Sequence, residues 1–393
     1  MKGVFSDRIS DVPRSFIREI LKVAIDRSII SFAGGLPNRD LFPVAALKEA
    51  SARVFDIYGS DALQYANSEG FLKLREYIAD RYKEKGLAFT PDNILITNGS
   101  QQGLDLMAKV IVNEGDDVII EEPGYLGAIQ AFSLYKPMYH PVPVDDYGMD
   151  IAALQQVMSK ARPKLMYTVP NFQNPSGISY PEENRRAVAE TLEGSDCYLM
   201  EDDPYGELRY SGTPAPSFKK LLPAQTILLG TFSKTLVPGF RLGWIAAPDD
   251  LMEKLIIAKQ AADLHTTQFI QMITYQYLTD NDTEAHICLI KDRYGKQLAA
   301  MLESLDEFCP PGVTHTHPQG GMFIWAALPQ GLSSRVLLDY ALKDKVIFVP
   351  GDTFYINRSE SNDMRLNFSC MDENMIRTGI ERLGKAIRMM LNE

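Results

Sequence analysis

The chain has 393 residues, enough for two compact domains or one large domain with a smaller companion. Its 45% hydrophobic and 23% charged residues exclude extended disorder. A formal net charge of −11, with no basic cluster anywhere, excludes non-specific nucleic-acid binding, which needs an excess of Lys and Arg. No apolar run approaches the ~20 residues that cross a bilayer, so no membrane partner is expected.

Residues 14–26, RSFIREILKVAID, place Phe16, Ile17, Ile20, Leu21 and Ala24 at helical spacing and predict an amphipathic helix. SFAGGLPNRDLFP, residues 31–43, follows as a Gly/Pro-rich irregular segment. From residue 71, FLKLREYIADRYKEKG predicts a helix ended by Gly86. The apolar runs NILIT, DVIIEE, KLMYTVP, CYLMED, TILLG and LGWIAAP then alternate with helical patterns such as SQQGLDLMAKVIVNEG and PEENRRAVAETLEG. Short apolar strands separated by helices predict a mostly parallel sheet buried on both faces, an α/β doubly wound domain. The tail differs. TEAHICLIKDRYGKQLAAMLESL leads into GGMFIWAAL, KVIFVPG and DMRLNFSC and a last helix, an α+β pattern that predicts a smaller second domain.

Cys197, Cys288, Cys309 and Cys370 form no C-x-x-C pair and read as free thiols of a reducing compartment, although counting alone permits two disulfides. The amino terminus MKGVFSDRISDVPRSF has no apolar signal core, so a cytoplasmic location is expected.

In open α/β sheets ligands bind beyond the carboxyl ends of the strands. The residues there are small and polar: Gly99, Ser100 and Gln101 after NILIT, Tyr125 after DVIIEE, and Asn174 after KLMYTVP. Asp202 and Tyr205 follow in CYLMED-DPYGE, and Ser233 and Lys234 follow TILLG. Each motif alone has a plain reading as a cap or a turn. Together they supply an amine, a carboxylate, an amide, an aromatic face and anion-binding N–H groups. A phosphate suits a helix N-terminus at Ser100 and Gln101, with Ser233 and Arg241 adding donors. A flat ring would stack on Tyr125. Asp202 would keep a ring nitrogen protonated, since an opposite charge favours the charged form. Lys234 could form a Schiff base with an aldehyde. These needs together describe pyridoxal 5′-phosphate. Pro238-Gly239 in GTFSKTLVPGFRLGW would turn the chain back between Lys234 and Arg241.

The sequence resembles the fold type I pyridoxal-phosphate enzymes, and within them the class I/II aminotransferases. The resemblance rests on NGSQQG, EEPGY, VPNFQNPSG, EDDPYGEL and TFSKTLVPGFRLGW in the family's order, and it covers nearly the whole chain. SFAGGLPNRDLFP and LQYANSEG resemble the 2-aminoadipate and kynurenine aminotransferase subgroup. The resemblance implies a large domain over residues 45–284, with a mostly parallel seven-stranded sheet. It implies a smaller α+β domain built from residues 1–44 and 285–393. Lys234 would be the internal-aldimine lysine and the base that moves the substrate Cα proton, with Asp202 and Tyr125 completing the catalytic set. Asn174 and Tyr205 would hydrogen-bond the ring's phenolic oxygen. Gly99, Ser100, Gln101, Ser233 and Arg241 would surround the phosphate. Tyr65 would reach the phosphate of a neighbouring subunit, which implies a homodimer with shared sites. Arg365 would grip the substrate α-carboxylate through two parallel hydrogen bonds, with Asn174 and Gly35 also at the substrate. The implied reaction is ping-pong transfer of an α-amino group to a 2-oxo acid, with 2-oxoglutarate as the expected acceptor and no metal.

Two other outcomes of the same fold stand beside transamination: a carbon–sulfur β-lyase, and a ligand-sensing regulator of the MocR type. The regulator reading expects a DNA-binding module before GGLP, and the roughly thirty residues there are too few and not basic enough for one. Arg18 is either a solvated helix position or the partner of a distal substrate carboxylate. His315 and His317 alternate in a strand without a third ligand nearby, Phe323 and Trp325 read as core, and Glu121 and Glu122 point to opposite faces.

Overall fold

The computed structural model describes residues 4–10, 12, 20, 26 and 28–392. The helix expected over residues 14–26 lies almost wholly outside the described residues. In chain order the strands are β1 (Ile30–Ser31), β2 (Ile94–Thr97), β3 (Asp117–Glu122), β4 (Met138–Asp145), β5 (Gly148–Met149), β6 (Leu165–Thr168) and β7 (Tyr198–Asp202). They continue with β8 (Thr226–Thr231), β9 (Gly243–Ala246), β10 (Thr314–His315), β11 (Phe323–Ala327), β12 (Val346–Ile347), β13 (Val349–Pro350) and β14 (Asp363–Asn367).

One sheet has the order β2-β9-β8-β7-β6-β3-β4-β5, with β8, β7, β6, β3 and β4 parallel and β9 antiparallel to both of its neighbours. The expected seven strands are all present. The eighth, β5, is a two-residue strand folded back on β4. β4 itself escaped the apolar-run reading because MYHPVPVD carries two prolines. Spaced two apart, Pro141 and Pro143 remove N–H groups from one lateral side only, which a strand near the sheet edge tolerates.

Alternation along the strands fills cores on both faces. Leu95, Ile120, Tyr167, Met200, Leu229 and Ile245 join one core. Their chain neighbours Ile96, Ile119, Met166, Leu199, Leu228 and Ala246 join the cores of the opposite face. Helices supply the cover: α1 (Val44–Tyr58), α2 (Leu72–Glu84), α3 (Ser100–Ile111), α4 (Leu126–Ser133), α5 (Ile151–Lys160), α6 (Glu182–Leu192), α7 (Asp249–Asp263) and α8 (Gln268–Asp280).

The tail forms a second, antiparallel sheet in the order β10-β11-β14-β13. Three helices accompany it, α9 (Thr283–Phe308), α10 (Ser334–Lys343) and α11 (Glu373–Leu391). Phe323, Ile324, Met364 and Leu366 of this sheet belong to the same connected core as Leu229 and Ile245 of the larger one. β1 pairs in parallel with β12, which ties the segment ahead of GGLP to the tail. All four cysteines are free thiols.

Candidate active site

Because β9 is antiparallel to both β2 and β8, those two strands run in the same direction as each other. The carboxyl ends of β2, β3, β6, β7 and β8 therefore share one edge of the sheet, and so does the start of β9. The strand-end residues line a cavity of about 410 Å³ there. A larger cleft of about 510 Å³, bordered by Arg209 and His317, contains none of them.

Lys234 follows β8, in a loop whose base is closed by the hydrogen bond from Phe232 N to Leu242 O, 3.1 Å. Its Nζ lies 6.0 Å from the Tyr205 ring centre and donates to Gly35 O at 2.8 Å. Burial lowers its pKa to about 8; the Arg365 and Arg241 cations push the same way, against Cys370 and Asp202. A free amine fraction at neutral pH is what a nucleophilic lysine needs. The cofactor-free protein should therefore capture added pyridoxal 5′-phosphate about tenfold faster at pH 7 than at pH 6, with the rate levelling above pH 8. Stopped-flow absorbance would record this, and a flat profile from pH 6 to 9 would contradict it.

Asp202 ends β7 and is buried. Tyr167 OH donates to its Oδ2 at 2.8 Å, while Oδ1 is buried without a partner. Burial raises this carboxyl to about 7, and the Tyr167 hydrogen bond and Lys234 oppose the shift. An orphaned carboxylate oxygen inside a cavity is the feature that a protonated ring nitrogen would satisfy. The donor set thus fits pyridoxal 5′-phosphate.

The residues expected to surround a phosphate also converge. Gly99 caps the 12-residue helix α3 with φ 73°, and a Cβ there would lie 2.5 Å from Arg241 Nη2, so only glycine admits the arginine. Ser100 and Gln101 open the helix beside it, and the Gln101 amide donates to Gly127 O at 2.8 Å. Thr231 Oγ1 lies 2.9 Å from the buried Ser233 hydroxyl. The chain reversal lies at Pro238-Gly239 as expected: Pro238–Phe240 form a 3₁₀ turn, and the left-handed residue is Arg241 that follows, at φ 51° and ψ 43°. A non-glycine residue held in that region is a local strain that sets where its side chain starts.

Asn174 Oδ1 accepts from Arg365 Nη1 at 2.9 Å, and Arg365 Nη2 donates to Ala33 O at 2.7 Å. Arg365 is 4% exposed and, among the described residues, pairs with no carboxylate. Burial lowers its pKa to about 10, which leaves it charged at neutral pH. Tyr125 precedes α4 and lines the cavity, its phenol pushed up to about 12 by burial. Tyr205 is buried, with its pKa raised well above the usual value by desolvation.

The cavity brings together Gly35, Ser100, Gln101, Tyr125, Asn174, Asp202, Tyr205, Ser233, Lys234, Arg241 and Arg365. Tyr65 stands apart: it is 78% exposed, with its ring against His265 at 5.9 Å. Arg18 lies outside the described residues. Sequence reasoning missed Tyr167 and took Phe323 for core alone; both line the cavity. Tyr167 carried a signal, since a tyrosine in an otherwise apolar strand needs a partner for its hydroxyl. Glu121 and Glu122 do diverge: Glu121 is buried and accepts from Thr168, Val169, Gln173 and Tyr180, while Glu122 faces Arg358. His315 reaches Asp306 at 3.1 Å, with its ring 4.7 Å from that of His317.

Residues 27–383 match the family described as aminotransferase class I and II. The chain is 41% identical to aromatic-amino-acid aminotransferase 1 of Thermococcus litoralis, over 98% of this chain and 94% of that protein. It superposes with a TM-score of 0.94 on the kynurenine aminotransferase of Pyrococcus horikoshii, solved in complex with PMP, with KYN as substrate and KYA as product. That protein is 42% identical, with 99% of this chain and 98% of the other covered. The α-aminoadipate aminotransferase LysN of Thermus thermophilus, complexed with N-(5′-phosphopyridoxyl)-L-leucine, gives a TM-score of 0.92 at 38% identity, covering 99% and 98%.

Proposed function

The chain belongs to the class I and II aminotransferases, and on that premise we propose that it moves the α-amino group of an amino acid with a bulky apolar or aromatic side chain to 2-oxoglutarate. The enzyme is a pyridoxal-phosphate-dependent transaminase of fold type I. The observation that carries the residue roles is the buried Arg365, a cation without an acid partner, facing the same cavity as Lys234 and the open Oδ1 of Asp202. A buried, unpaired charge is costly, so a site that keeps one is built for a ligand of opposite sign.

Arg365 and Asn174 bind the carboxylate next to the reacting carbon. Donor and acceptor both carry that carboxylate, so both use one site in turn, which is the basis of the ping-pong order. Lys234 would take the proton from the donor's Cα in the first half-reaction and supply one to the Cα of the amino acid formed from the acceptor in the second. Asp202 would hold a proton on the ring nitrogen, with Tyr167 keeping its carboxylate oriented. Tyr125 would stack on the ring, Asn174 and Tyr205 would hydrogen-bond its phenolic oxygen, and Gly99, Ser100, Gln101, Ser233 and Arg241 would hold the phosphate. When bound, pyridoxal 5′-phosphate supplies the aldehyde that accepts the amine and the electron-withdrawing ring that stabilises the Cα carbanion.

Leu36, Pro37 and Leu126 line the cavity and support the apolar donor class, as does the name of the Thermococcus relative. A panel of phenylalanine, tyrosine, kynurenine, leucine, 2-aminoadipate and glutamate, each with 2-oxoglutarate or pyruvate, tests this. Aromatic donors should exceed 2-aminoadipate and glutamate by about tenfold or more in kcat/KM, the span that one apolar pocket contact sets. A reversed ranking would assign the distal side of the pocket to a carboxylate, with Arg18 as its partner. Pyruvate and ammonia released from cysteine conjugates without an acceptor would mark a β-lyase side activity.

A homodimer with shared sites is part of this reading. Phe55, Ile57, Leu63, Tyr65 and Leu72 are each 45% exposed or more, on α1 and the segment leading into α2, where a second copy would cover them. Tyr65 would then reach the partner's phosphate. In this reading residues 45–284, with the larger sheet, make the large domain, and the described residues of 1–44 and 285–393 the small one. No helix among the described residues is long and apolar enough to cross a membrane. A cytoplasmic location and the absence of a nucleic-acid partner are part of this reading, the latter supported by the negative net charge.

A further inference from the structure

Arg365 is held by hydrogen bonds and by rings. Nη1 and Nη2 donate to Asn174 Oδ1 and Ala33 O, while the buried Nε has no partner. The guanidinium carbon also lies over two buried rings: Phe323, 4.5 Å from the ring centre, and Phe354, at 5.3 Å. Each ring is fixed in turn by a second aromatic group. Tyr205 meets Phe323 edge-on at 5.9 Å and 90°, and Trp325 meets Phe354 at 5.6 Å and 82°. The backbone sets this up. Trp325 lies directly opposite Arg365 in the β11–β14 register, Phe323 lies opposite Asn367, and Phe354 ends the 3₁₀ turn Gly351–Phe354 between β13 and β14. Space on the cavity side is tight, since a Cβ on Gly35 would lie 3.2 Å from Phe323 Cζ.

We propose that Phe323 and Phe354 are positioning residues for substrate capture: they hold the guanidinium plane of Arg365 in the one orientation that presents its remaining N–H groups to the substrate carboxylate. The inference rests on the reading that Arg365 binds that carboxylate. A guanidinium without a carboxylate partner in the resting protein is free to rotate unless something restrains it. Aromatic faces do so without a competing negative charge, because the ring quadrupole attracts the cation and the flat surface limits its tilt. An acidic partner would instead occupy the donors that the substrate needs. Apolar residues of similar volume, such as leucine, would fill the space and leave the plane guided only by its two hydrogen bonds.

The test uses the holoenzyme and its Phe323→Leu, Phe354→Leu and Phe323→Tyr variants. Calorimetry would measure the Kd of 3-phenylpropanoate, which carries the carboxylate and no amine, alongside KM and kcat for the preferred donor. Each leucine variant should weaken the probe's binding and raise KM about tenfold, the size of a desolvated cation–π contact, with a smaller change in kcat. Phe323→Tyr should restore both constants to within about threefold, because the ring is kept. Cofactor affinity, read by equilibrium dialysis, should stay within about twofold in Phe354→Leu, whose ring does not line the cavity, and should fall by less than probe affinity in Phe323→Leu. Leucine variants that bind the probe like the wild type would overturn the proposal. So would equal losses of probe and cofactor affinity, which would mark general loosening of the fold. Arg365→Ala separates the two levels: if it binds the probe normally, the carboxylate role of Arg365 itself fails.

Discussion

Replacing Lys234 with alanine should lower kcat by at least about 10⁴-fold, because the variant lacks both the nucleophile and the base. Lys234→Arg should fail as badly. It keeps a cation at the end of β8, but a guanidinium stays protonated at every working pH and cannot attack an aldehyde. The structure explains why a lysine succeeds here: burial brings it to about 8, while Arg365 and Arg241 add to the effect. Borohydride reduction of the wild-type holoenzyme, followed by digestion and mass spectrometry, should leave the cofactor mass on the peptide containing Lys234. The same treatment of Lys234→Ala should leave no peptide modified. A label on another lysine, or normal turnover in either variant, would dismantle the assignment. Lys259, the fully buried lysine among the described residues, is not a rival, since Asp263, Gln102 and Thr266 engage its Nζ.

Asp202→Asn is the second large effect. Replacing the carboxylate by a neutral amide of the same shape removes the charge opposite the ring nitrogen, with an expected loss of about 10²–10³-fold in kcat/KM. The pH behaviour of the cofactor-free protein gives an independent reading. Burial raises Asp202 from 3.8 to about 7, so between those values the folded chain holds a proton that the unfolded chain has released. This contribution to stability is fully present below pH 4 and is lost as pH rises through 7. Asp202→Asn should flatten that part of the profile, as urea unfolding at pH 5, 6, 7 and 8 would show. Cofactor pairing has the opposite sense. A ring cation favours the ionised carboxylate, so cofactor binding below pH 7 expels a proton and tightens as pH rises towards 7. If Asp202→Asn bound cofactor with unchanged affinity and the same pH dependence, Asp202 would not be its partner.

The strand ends were legible in the sequence because each follows an apolar run with small or polar residues, a contrast that burial enforces. β4 was not, because Pro141 and Pro143 suppress the pattern that its position near the sheet edge makes unnecessary. The antiparallel direction of β9 was equally hidden, since LGWIAAP reads the same in either direction, and with it the reason why Arg241 returns to the edge that Lys234 leaves. The residue type of Arg365 and its place in DMRLNFS do not by themselves say that it is buried. Only the packing of Phe323 and Phe354 shows it enclosed. Tyr167 and Phe323 lie in apolar stretches where residue type cannot separate a core ring from a cavity wall, because both are buried and differ only in what lies beyond them.

The hydrogen bond that closes the base of the loop from Phe232 to Leu242 has a mechanical meaning. Lys234 and Arg241 are two points on one short hoop, anchored at both ends in neighbouring strands of the larger sheet. Arg365 is carried by the other sheet. A sliding or rocking of one sheet against the other would therefore change the distance from Arg365 to Lys234 while the span between Lys234 and Arg241 stayed fixed. On the proposed roles, a substrate carboxylate would then come and go without straining the attachment of the cofactor.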